Sequence, residues 1–339
     1  MKKILLLPIA FFVLISCENS DSISTTTTHI YAVGINGNGE SYITKDGVST
    51  SLPASYKVMD VFVDGNDVYT SGNMNNVAAY TKNGDVTVLG SSITSNATNI
   101  FVNDNDIYVV GKKDDLPAYW KNGILTILDS APSFKGCSYD ITISNGDVYI
   151  AGYQHNFDPI NPITNILYWK NGVLTTINSN HVYSFNWIGE ISIAVYNDDV
   201  YLAVNERDNN ASFNGNVYLI KNGTEETLID DNSEVHDIFI SNSDIYLCGD
   251  HIDTSSVPDK SIVWKNGIVV VEKDNERGAF LSLFVSNNNI FAVGIESNLI
   301  QSGEYENHGT TLINNVFSIS PDFGSSVYGT GYMSVFVTE

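Results

Sequence analysis

The side chains that could bind or transform a ligand are concentrated in five long segments between predicted strands. These segments combine aromatic rings with carboxylates, histidines and amides, and such mixtures bind carbohydrates or peptides through stacking and hydrogen bonds. They cover residues 153–165, 178–190, 205–216, 250–260 and 295–307. The candidate ligand-binding residues are Tyr153, His155, Asp158, Phe185, Trp187, Arg207, Asp208, His251, Asp253 and Glu296. The simpler alternative is that these side chains only pack the loops, with Phe185 and Trp187 covering a junction between two repeats.

The titratable residues show none of the spacings typical of catalytic or metal centres. The six histidines lack the His-Glu-x-x-His and zinc-ligand spacings, and the chain has no Gly-x-Ser-x-Gly elbow or phosphate-binding glycine-rich loop. Spacing along the chain does not reveal carboxylates that different repeats bring together. We therefore predict no catalytic residue, no metal and no cofactor, and a binding role. The alternatives are a lyase or hydrolase acting on glycans or peptides, and a passive scaffold.

The N-terminus has the features of a bacterial lipoprotein signal. Two lysines precede an apolar run from Ile4 to Ile15, which is too short to span a membrane of roughly 30 Å as a helix. The sequence from Leu14 to Cys17 resembles the lipobox, which implies cleavage after residue 16 and lipidation of Cys17. Residues 1–16 are thus a predicted signal peptide, residues 17–28 a Ser/Thr-rich flexible tether, and residues 29–339 the folded domain. This arrangement predicts a monomer that is lipid-anchored in the outer membrane and faces the cell surface or the periplasm.

The charge excludes some classes of partner. The chain has 39 acidic and 16 basic residues and a net charge of −23, so nucleic acids and anionic lipid surfaces are repelled. Contact with the membrane is expected only through the lipid on Cys17. The remaining candidate partners are a glycan, a peptide or another protein.

A strand that begins with an Ile/Val-Tyr pair, or a close variant, recurs along almost the whole chain. Self-similarity at a period near 40 residues is typical of repeat architectures, including kelch and WD40 propellers. The eight copies begin at Ile30, Val68, Ile107, Val148, Val200, Ile245, Ile290 and Val327.

Each repeat also predicts two tight hairpins. Asn-Gly pairs such as Asn122-Gly123 lie between β-rich runs and indicate type I′ turns. A second Asn/Asp-rich turn, such as residues 103–106, precedes the recurring strand, and it is too short to wrap a calcium ion. Four short antiparallel strands per repeat predict an all-β protein, a β-propeller of four-stranded blades.

The number of blades depends on the two ends of the chain. Eight copies of the recurring strand favour eight blades, with the ring sealed by pairing between the ends. The first repeat lacks an opening strand and the last, which spans residues 316–338, lacks a closing one. Seven blades therefore result if a terminal repeat is absorbed into its neighbour.

Three tryptophans and one cysteine are expected to be structural. Trp120, Trp169 and Trp264 hold one repeated strand position, and Cys248 replaces small or branched apolar residues at another. Cys137 and Cys248 lie in different repeats, so a disulfide between them is not expected.

The Tyr-Trp-Lys-Asn-Gly pattern at residues 119–123 and 168–172 resembles uncharacterised propeller lipoproteins of Bacteroidota. The resemblance covers residues 30–339 and implies a fold but no activity. Long loops are the usual carriers of function, and in each blade they lie opposite the tight turns. Carboxylates or histidines with shifted pKa values near the ring axis would favour an enzyme, whereas an exposed aromatic surface on the long-loop side would favour binding.

Overall fold

The computed structural model describes residues 27–90, 93–158, 163–177, 191–207, 215–251, 260–274, 277–299, 305–313, 316–320 and 331–338. These residues form 28 β-strands in seven antiparallel sheets of four strands. The protein is an all-β, seven-bladed β-propeller, and the predicted fold class is confirmed. No helix in the described ranges is long and apolar enough to cross a membrane.

In blades 2 to 7 the strands follow the chain from the centre of the ring outward, and we call them strands a to d. Blade 2 contains β4 (Tyr56–Asp64), β5 (Asp67–Met74), β6 (Val77–Lys82) and β7 (Asp85–Val88). Blade 3 contains β8 (Ser95–Asn103), β9 (Asp106–Lys113), β10 (Leu116–Lys121) and β11 (Ile124–Ile127). Blade 4 contains β12 (Lys135–Ser144), β13 (Asp147–His155), β14 (Thr164–Lys170) and β15 (Val173–Thr176).

The second half of the ring has the same order. Blade 5 contains β16 (Ser192–Tyr196), β17 (Asp199–Arg207), β18 (Gly215–Lys221) and β19 (Glu225–Asp231). Blade 6 contains β20 (Ser233–Ser241), β21 (Asp244–His251), β22 (Lys260–Lys265) and β23 (Ile268–Asp274). Blade 7 contains β24 (Arg277–Ser286), β25 (Asn289–Leu299), β26 (Tyr305–Ile313) and β27 (Val316–Ser320).

Blade 1 combines the two ends of the chain, which explains the blade number. Its strand a is β28 (Gly331–Thr338), and strands b to d are β1 (His29–Ile35), β2 (Ser41–Lys45) and β3 (Val48–Ser51). β28 pairs antiparallel with β1, with Phe336 opposite Tyr31. The eighth repeat therefore makes no blade of its own, because it supplies the outer strand of blade 7 and the inner strand of blade 1. Val327, where its copy of the recurring strand begins, lies outside the described residues.

The tight turns lie on one side of the ring, which we call the turn face, and the b–c and d–a connections lie on the other, the long-loop face. Asn122 and Gly123 have φ values of +50° and +81°, as a type I′ turn requires. Asp104 and Asn105 also have positive φ, at +51° and +66°. Both kinds of Asn/Asp-rich segment are therefore turns, as predicted.

The repeated Lys and Asn of the sequence motif connect the two turns of a blade. In blade 3, Asn122 Oδ1 accepts a hydrogen bond of 2.9 Å from the Ile107 N–H, and Asn122 Nδ2 donates one of 2.8 Å to Asp106. Lys121 Nζ lies 2.7 Å from the other oxygen of Asp106 and 5.0 Å from the centroid of the Tyr108 ring. The motif recurs because it joins two hairpins at the surface.

The blades pack on each other through apolar side chains. Trp120, Trp169 and Trp264 are at most 1% exposed, which confirms their structural role. Cys248 is fully buried among the apolar residues of blades 6 and 7, and neither Cys137 nor Cys248 forms a disulfide.

Candidate functional site

Five of the ten predicted ligand-binding residues have described side chains, and all five lie toward the long-loop face. Tyr153, His155 and Asp158 are at or just beyond the end of strand b in blade 4, whereas His251 and Glu296 are in blades 6 and 7. The structure thus brings the first three together and leaves the other two elsewhere on the ring. Arg207 is the last residue of β17, and Phe185, Trp187, Asp208 and Asp253 lie outside the described residues.

Two of these side chains are engaged in contacts within the fold. His251 Nδ1 is 3.0 Å from Ser233 Oγ. Glu296 is 6% exposed and forms an ion pair with Lys273 across the junction of blades 6 and 7. These contacts favour packing roles for both residues, which is the alternative that the sequence left open.

Blade 4 presents an aromatic patch, which we define as Tyr139, Tyr153, His155 and Phe157, and of these four side chains Phe157 alone is exposed. Phe157 is 49% exposed, and the ring of the buried His155 meets it edge-on with the centroids 4.6 Å apart. The rings of Tyr139 and Tyr153 lie 5.8 Å apart. Phe157 has a φ of +53°, which is an uncommon and strained value for a bulky side chain. The sequence did not single out Phe157, because positive φ at a phenylalanine has no local signal.

A short loop fixes Phe157 in this conformation. Asn156 Oδ1 accepts hydrogen bonds from the Asp158 and Ile163 N–H groups, at 3.1 and 2.9 Å. The Asn156 N–H donates to the Ile163 carbonyl at 3.1 Å. The two sides of the connection are thereby held together next to the exposed ring.

Polar groups adjoin the aromatic patch on the side of blade 3. Lys135 Nζ is 5.6 Å from the Phe157 ring centroid and 2.9 Å from a carboxylate oxygen of Asp115. Asp115 also binds Lys112, at 3.1 Å. Asp115 and Lys112 line a pocket of about 440 Å³ between blades 2 and 3, together with Lys57, Asn73, Asn76, Ile93, Thr94, Ser95 and Asn96. Aromatic surface and hydrogen-bonding groups are therefore contiguous on this face.

The central channel is a cavity of about 330 Å³ lined by strand a of every blade. Phenylalanines from five blades narrow it at the turn face, with neighbouring ring centroids 4.7 to 5.1 Å apart. In the middle of the channel, a ring of polar residues occupies equivalent positions of the seven inner strands. This polar ring consists of Asp60, Asn99, Asp140, Ser192, Asp237, Ser282 and Ser334.

The three carboxyl groups of the polar ring join blade 2 to blade 3, blade 4 to blade 5 and blade 6 to blade 7. Asp60 Oδ2 accepts the Ile100 N–H at 3.0 Å, and Asp140 Oδ2 accepts the Ile193 N–H at 2.8 Å. Asp237 Oδ2 likewise accepts the Leu283 N–H at 2.9 Å. Each acceptor reaches the backbone of the following blade, so the three aspartates have an architectural role.

Burial changes the protonation of this ring. It raises the pKa of Asp60 to about 7, and burial together with the nearby charge of Asp140 raises the pKa of Asp237 to about 7. Ser192 Oγ lies 2.6 Å from Asp140 Oδ2 and 3.1 Å from Asp237 Oδ1. Since a hydroxyl has one proton, it donates fully to only one of the two carboxylates. Protonation of Asp237 satisfies the second contact, because its O–H then donates to Ser192 Oγ.

Blade 6 brings together Glu234, His236 and Asp250 at the long-loop end of the channel. Their ligand atoms all lie within 4.8 Å of one another, and His236 Nε2 is 3.0 Å from Asp250 Oδ1. Metal-ligand spacings within a single segment do not reveal this cluster, because its ligands come from two paired strands, β20 and β21. Strand alternation and the turn between β20 and β21 would have brought Glu234 near Asp250, but the register shift between Val235 and Asp237 is what places the two directly opposite each other.

Comparisons with known proteins support the fold and no more. No protein-family model and no curated protein matches the chain. An ulvan lyase from a new polysaccharide lyase family aligns at a TM-score of 0.58 with 10% identity, over 84% of this chain and 90% of that one. A prolyl endopeptidase aligns at 0.50 with 11% identity, over 92% of this chain, which spans about half of the endopeptidase. A mutant lectin from Aleuria aurantia, in complex with Fucα1-6GlcNAc, aligns at 0.47 with 9% identity, over 81% of this chain and 98% of the lectin.

Proposed function

We propose that this protein is a lipid-anchored, extracytoplasmic propeller that binds a glycan on the long-loop face of blade 4 without transforming it. The observation that carries the proposal is Phe157, an exposed ring on a strained backbone. A left-handed conformation costs on the order of 1 kcal/mol or more at such a residue, and about half of the ring remains open to a ligand, at 49% exposure. A sugar that stacks on the exposed face of the ring would explain why the protein keeps this conformation.

The polar groups next to the ring suit the hydroxyl groups of a sugar. Lys135 and the exposed Asp158 flank Phe157, and Asp115 and Lys112 continue from Lys135 into the pocket between blades 2 and 3. Ligand sites of this kind combine a flat apolar contact with a few hydrogen-bonding groups that fix the orientation.

The polar ring gives the enzymatic alternative its strongest argument, since three carboxyl groups line the channel and burial raises the pKa of two of them, Asp60 and Asp237, to about 7. Their oxygens, however, accept backbone N–H groups of neighbouring blades, which gives all three a structural role without any catalysis. We therefore favour binding over lyase or hydrolase activity.

The anchor completes the proposal. It is based on the lipobox-like sequence that ends at Cys17, which lies outside the described residues, and on the polar tether that follows. A monomer held by this lipid in the outer membrane would present the propeller to the cell surface or the periplasm.

The test is a glycan array probed with the full chain in detergent. We expect binding that Phe157→Ala weakens at least about 10-fold and that Phe157→Leu also weakens, because leucine keeps apolar area but lacks the aromatic face. Val173→Ala, at a side chain 69% exposed on the turn face, is the matched control and should bind normally. Binding unchanged by both Phe157 substitutions would refute the site.

The same preparation separates binding from catalysis. Bound glycans should be recovered with unchanged mass after prolonged incubation. Shortened products would support the lyase or hydrolase alternative. Binding to peptides and not to glycans would show that the ligand is a peptide.

A further inference from the structure

Three side chains that can bind a metal ion converge in blade 6. Glu234 in β20 lies directly opposite Asp250 in β21, and His236 follows at the bulge of β20. The ligand atoms of the three lie within 4.8 Å of one another. The side chains of His236 and Asp250 are each 13% exposed, so the cluster is partly shielded from water. His236 also lines the channel, which places the cluster at the channel mouth.

The propeller fold does not require this combination, because the same three positions are occupied differently in other blades. The first position is the strand a residue that corresponds to Glu234, and the second is the bulge residue two places later, which corresponds to His236. The third is the strand b residue that pairs with the first, which corresponds to Asp250. They hold Lys57, Met59 and Asn73 in blade 2, Asn96, Thr98 and Lys112 in blade 3, Cys137, Tyr139 and Tyr153 in blade 4, and Ala279, Leu281 and Ile295 in blade 7. Three potential ligands coincide in blade 6 alone among these five blades.

We propose that Glu234, His236 and Asp250 bind a divalent transition-metal ion, with zinc the best fit. One imidazole nitrogen and two carboxylate oxygens are donors that zinc accepts at about 2.0 to 2.2 Å. Ligands at that distance around one ion are about 3 to 4 Å apart, and the ligand atoms here all lie within 4.8 Å of one another. The imidazole disfavours calcium and magnesium, which take oxygen ligands.

The charges of the cluster support an ion. Two carboxylates this close repel each other where water is partly excluded, and a dication beside a neutral imidazole balances both. The ion would replace the direct hydrogen bond between His236 and Asp250. Three protein ligands leave a fourth position for water or a ligand group, so the site differs in kind from the aromatic patch of blade 4.

Equilibrium dialysis of the full chain in detergent, after treatment with chelator, tests the proposal with Zn²⁺, Ca²⁺ and Mg²⁺. We expect one Zn²⁺ per chain, little Ca²⁺ or Mg²⁺, and a higher Tm with Zn²⁺. His236→Gln and Glu234→Gln should each weaken Zn²⁺ binding at least about 10-fold. His29→Gln, which removes a histidine on the turn face that pairs with Asp46, is the matched control and should bind as the wild type does.

Cobalt adds a readout that does not depend on stability. Co²⁺ should give the visible absorption of a low-symmetry nitrogen and oxygen site, and Asp250→Asn should abolish it while the metal-free Tm stays near that of the wild type. Absence of Zn²⁺ binding, tighter binding of Ca²⁺ than of Zn²⁺, or full binding by His236→Gln would overturn the proposal. Glycan binding by the blade 4 patch is measured separately, so failure of one proposal leaves the other standing.

Discussion

Ser334 donates a hydrogen bond of 2.5 Å to the buried carboxyl group of Asp60, which joins the last strand of the chain to the innermost strand of blade 2. Ser334→Ala would leave one oxygen of Asp60 without this donor. We expect a loss of about 1–3 kcal/mol in the free energy of unfolding, which is the usual cost of an unsatisfied buried acceptor. Urea denaturation measures it. Ser49→Ala, at an exposed residue of β3, is the control, and an equal effect of both changes would contradict the role given to Ser334.

The stability of the protein should depend on pH through Asp60. Burial raises the folded-state pKa to about 7 against an ordinary value of 3.8, so the folded chain retains a proton that the unfolded chain releases. This contribution is complete below about pH 4 and is lost as the pH rises toward 7, by up to about 1.4 kcal/mol per pH unit. Asp60→Asn should flatten that part of the curve, as measured by urea denaturation across this range.

The comparison with Asp60→Asn is needed because other groups titrate in the same pH range. Burial lowers the pKa of His155, which makes the protein less stable as the pH falls below about 6.5. Only the difference between wild type and variant isolates the aspartate. A difference that does not change between pH 4 and pH 7 would show that Asp60 has an ordinary pKa in the folded protein.

The asparagine of the repeated turn should matter more than the lysine beside it. Asn122→Ala places alanine, which adopts positive φ less readily than asparagine, at a φ of +50° and removes two hydrogen bonds. We therefore expect the free energy of unfolding to fall by about 1–2 kcal/mol. Asn122→Gly should cost less because glycine adopts this φ freely. Lys121→Ala should have a smaller effect that added salt reduces further, since its ion pair is exposed. Thermal unfolding in low and high salt tests this order.

Phe157→Gly should separate stability from ligand binding. Glycine relieves the positive φ but removes the edge-on contact with His155, so the two effects oppose each other and the Tm should change little. Glycan binding should fall as far as in Phe157→Ala. A large drop in Tm would instead show that Phe157 is a packing residue.

Cys17→Ser should release the protein from the membrane. The lipid is the expected attachment, so the variant should move to the soluble fraction after cell lysis, whereas Cys137→Ser should remain with the membranes. Persistent membrane association of Cys17→Ser would contradict lipid anchoring. Fractionation followed by immunoblotting gives the result.

The repeat made the architecture predictable from the sequence. Asn-Gly pairs recur because the turn needs positive φ at two neighbouring residues, and the Ile/Val-Tyr pair recurs because each blade needs a half-buried strand at that place. Both requirements concern neighbouring residues, so they can be recognised in the sequence. The blade number was less certain because it depends on the pairing of β28 with β1, a contact between opposite ends of the chain. Both eight and seven blades agreed with the local pattern.

The sites were harder to predict because their residues meet only after folding. Tyr153 and His155 were identified from a long connection, but Phe157 owes its exposure to the conformation set by Asn156. The polar ring draws one residue from each blade, and no sequence spacing relates Asp60 to Ser334. Glu234 and Asp250 are 16 positions apart, and only the bulge in β20 sets their register.

The composite first blade also sets the side of the ring from which the chain enters. β1 is a second strand, and second strands run from the turn face to the long-loop face, so the chain enters the ring at His29 from the turn face. A lipid on Cys17 would therefore be attached, through the flexible tether, on the side of the Lys-Asp-Asn turns. Phe157 and the mouth beside His236 would point outward, where large molecules arriving from solution meet them first.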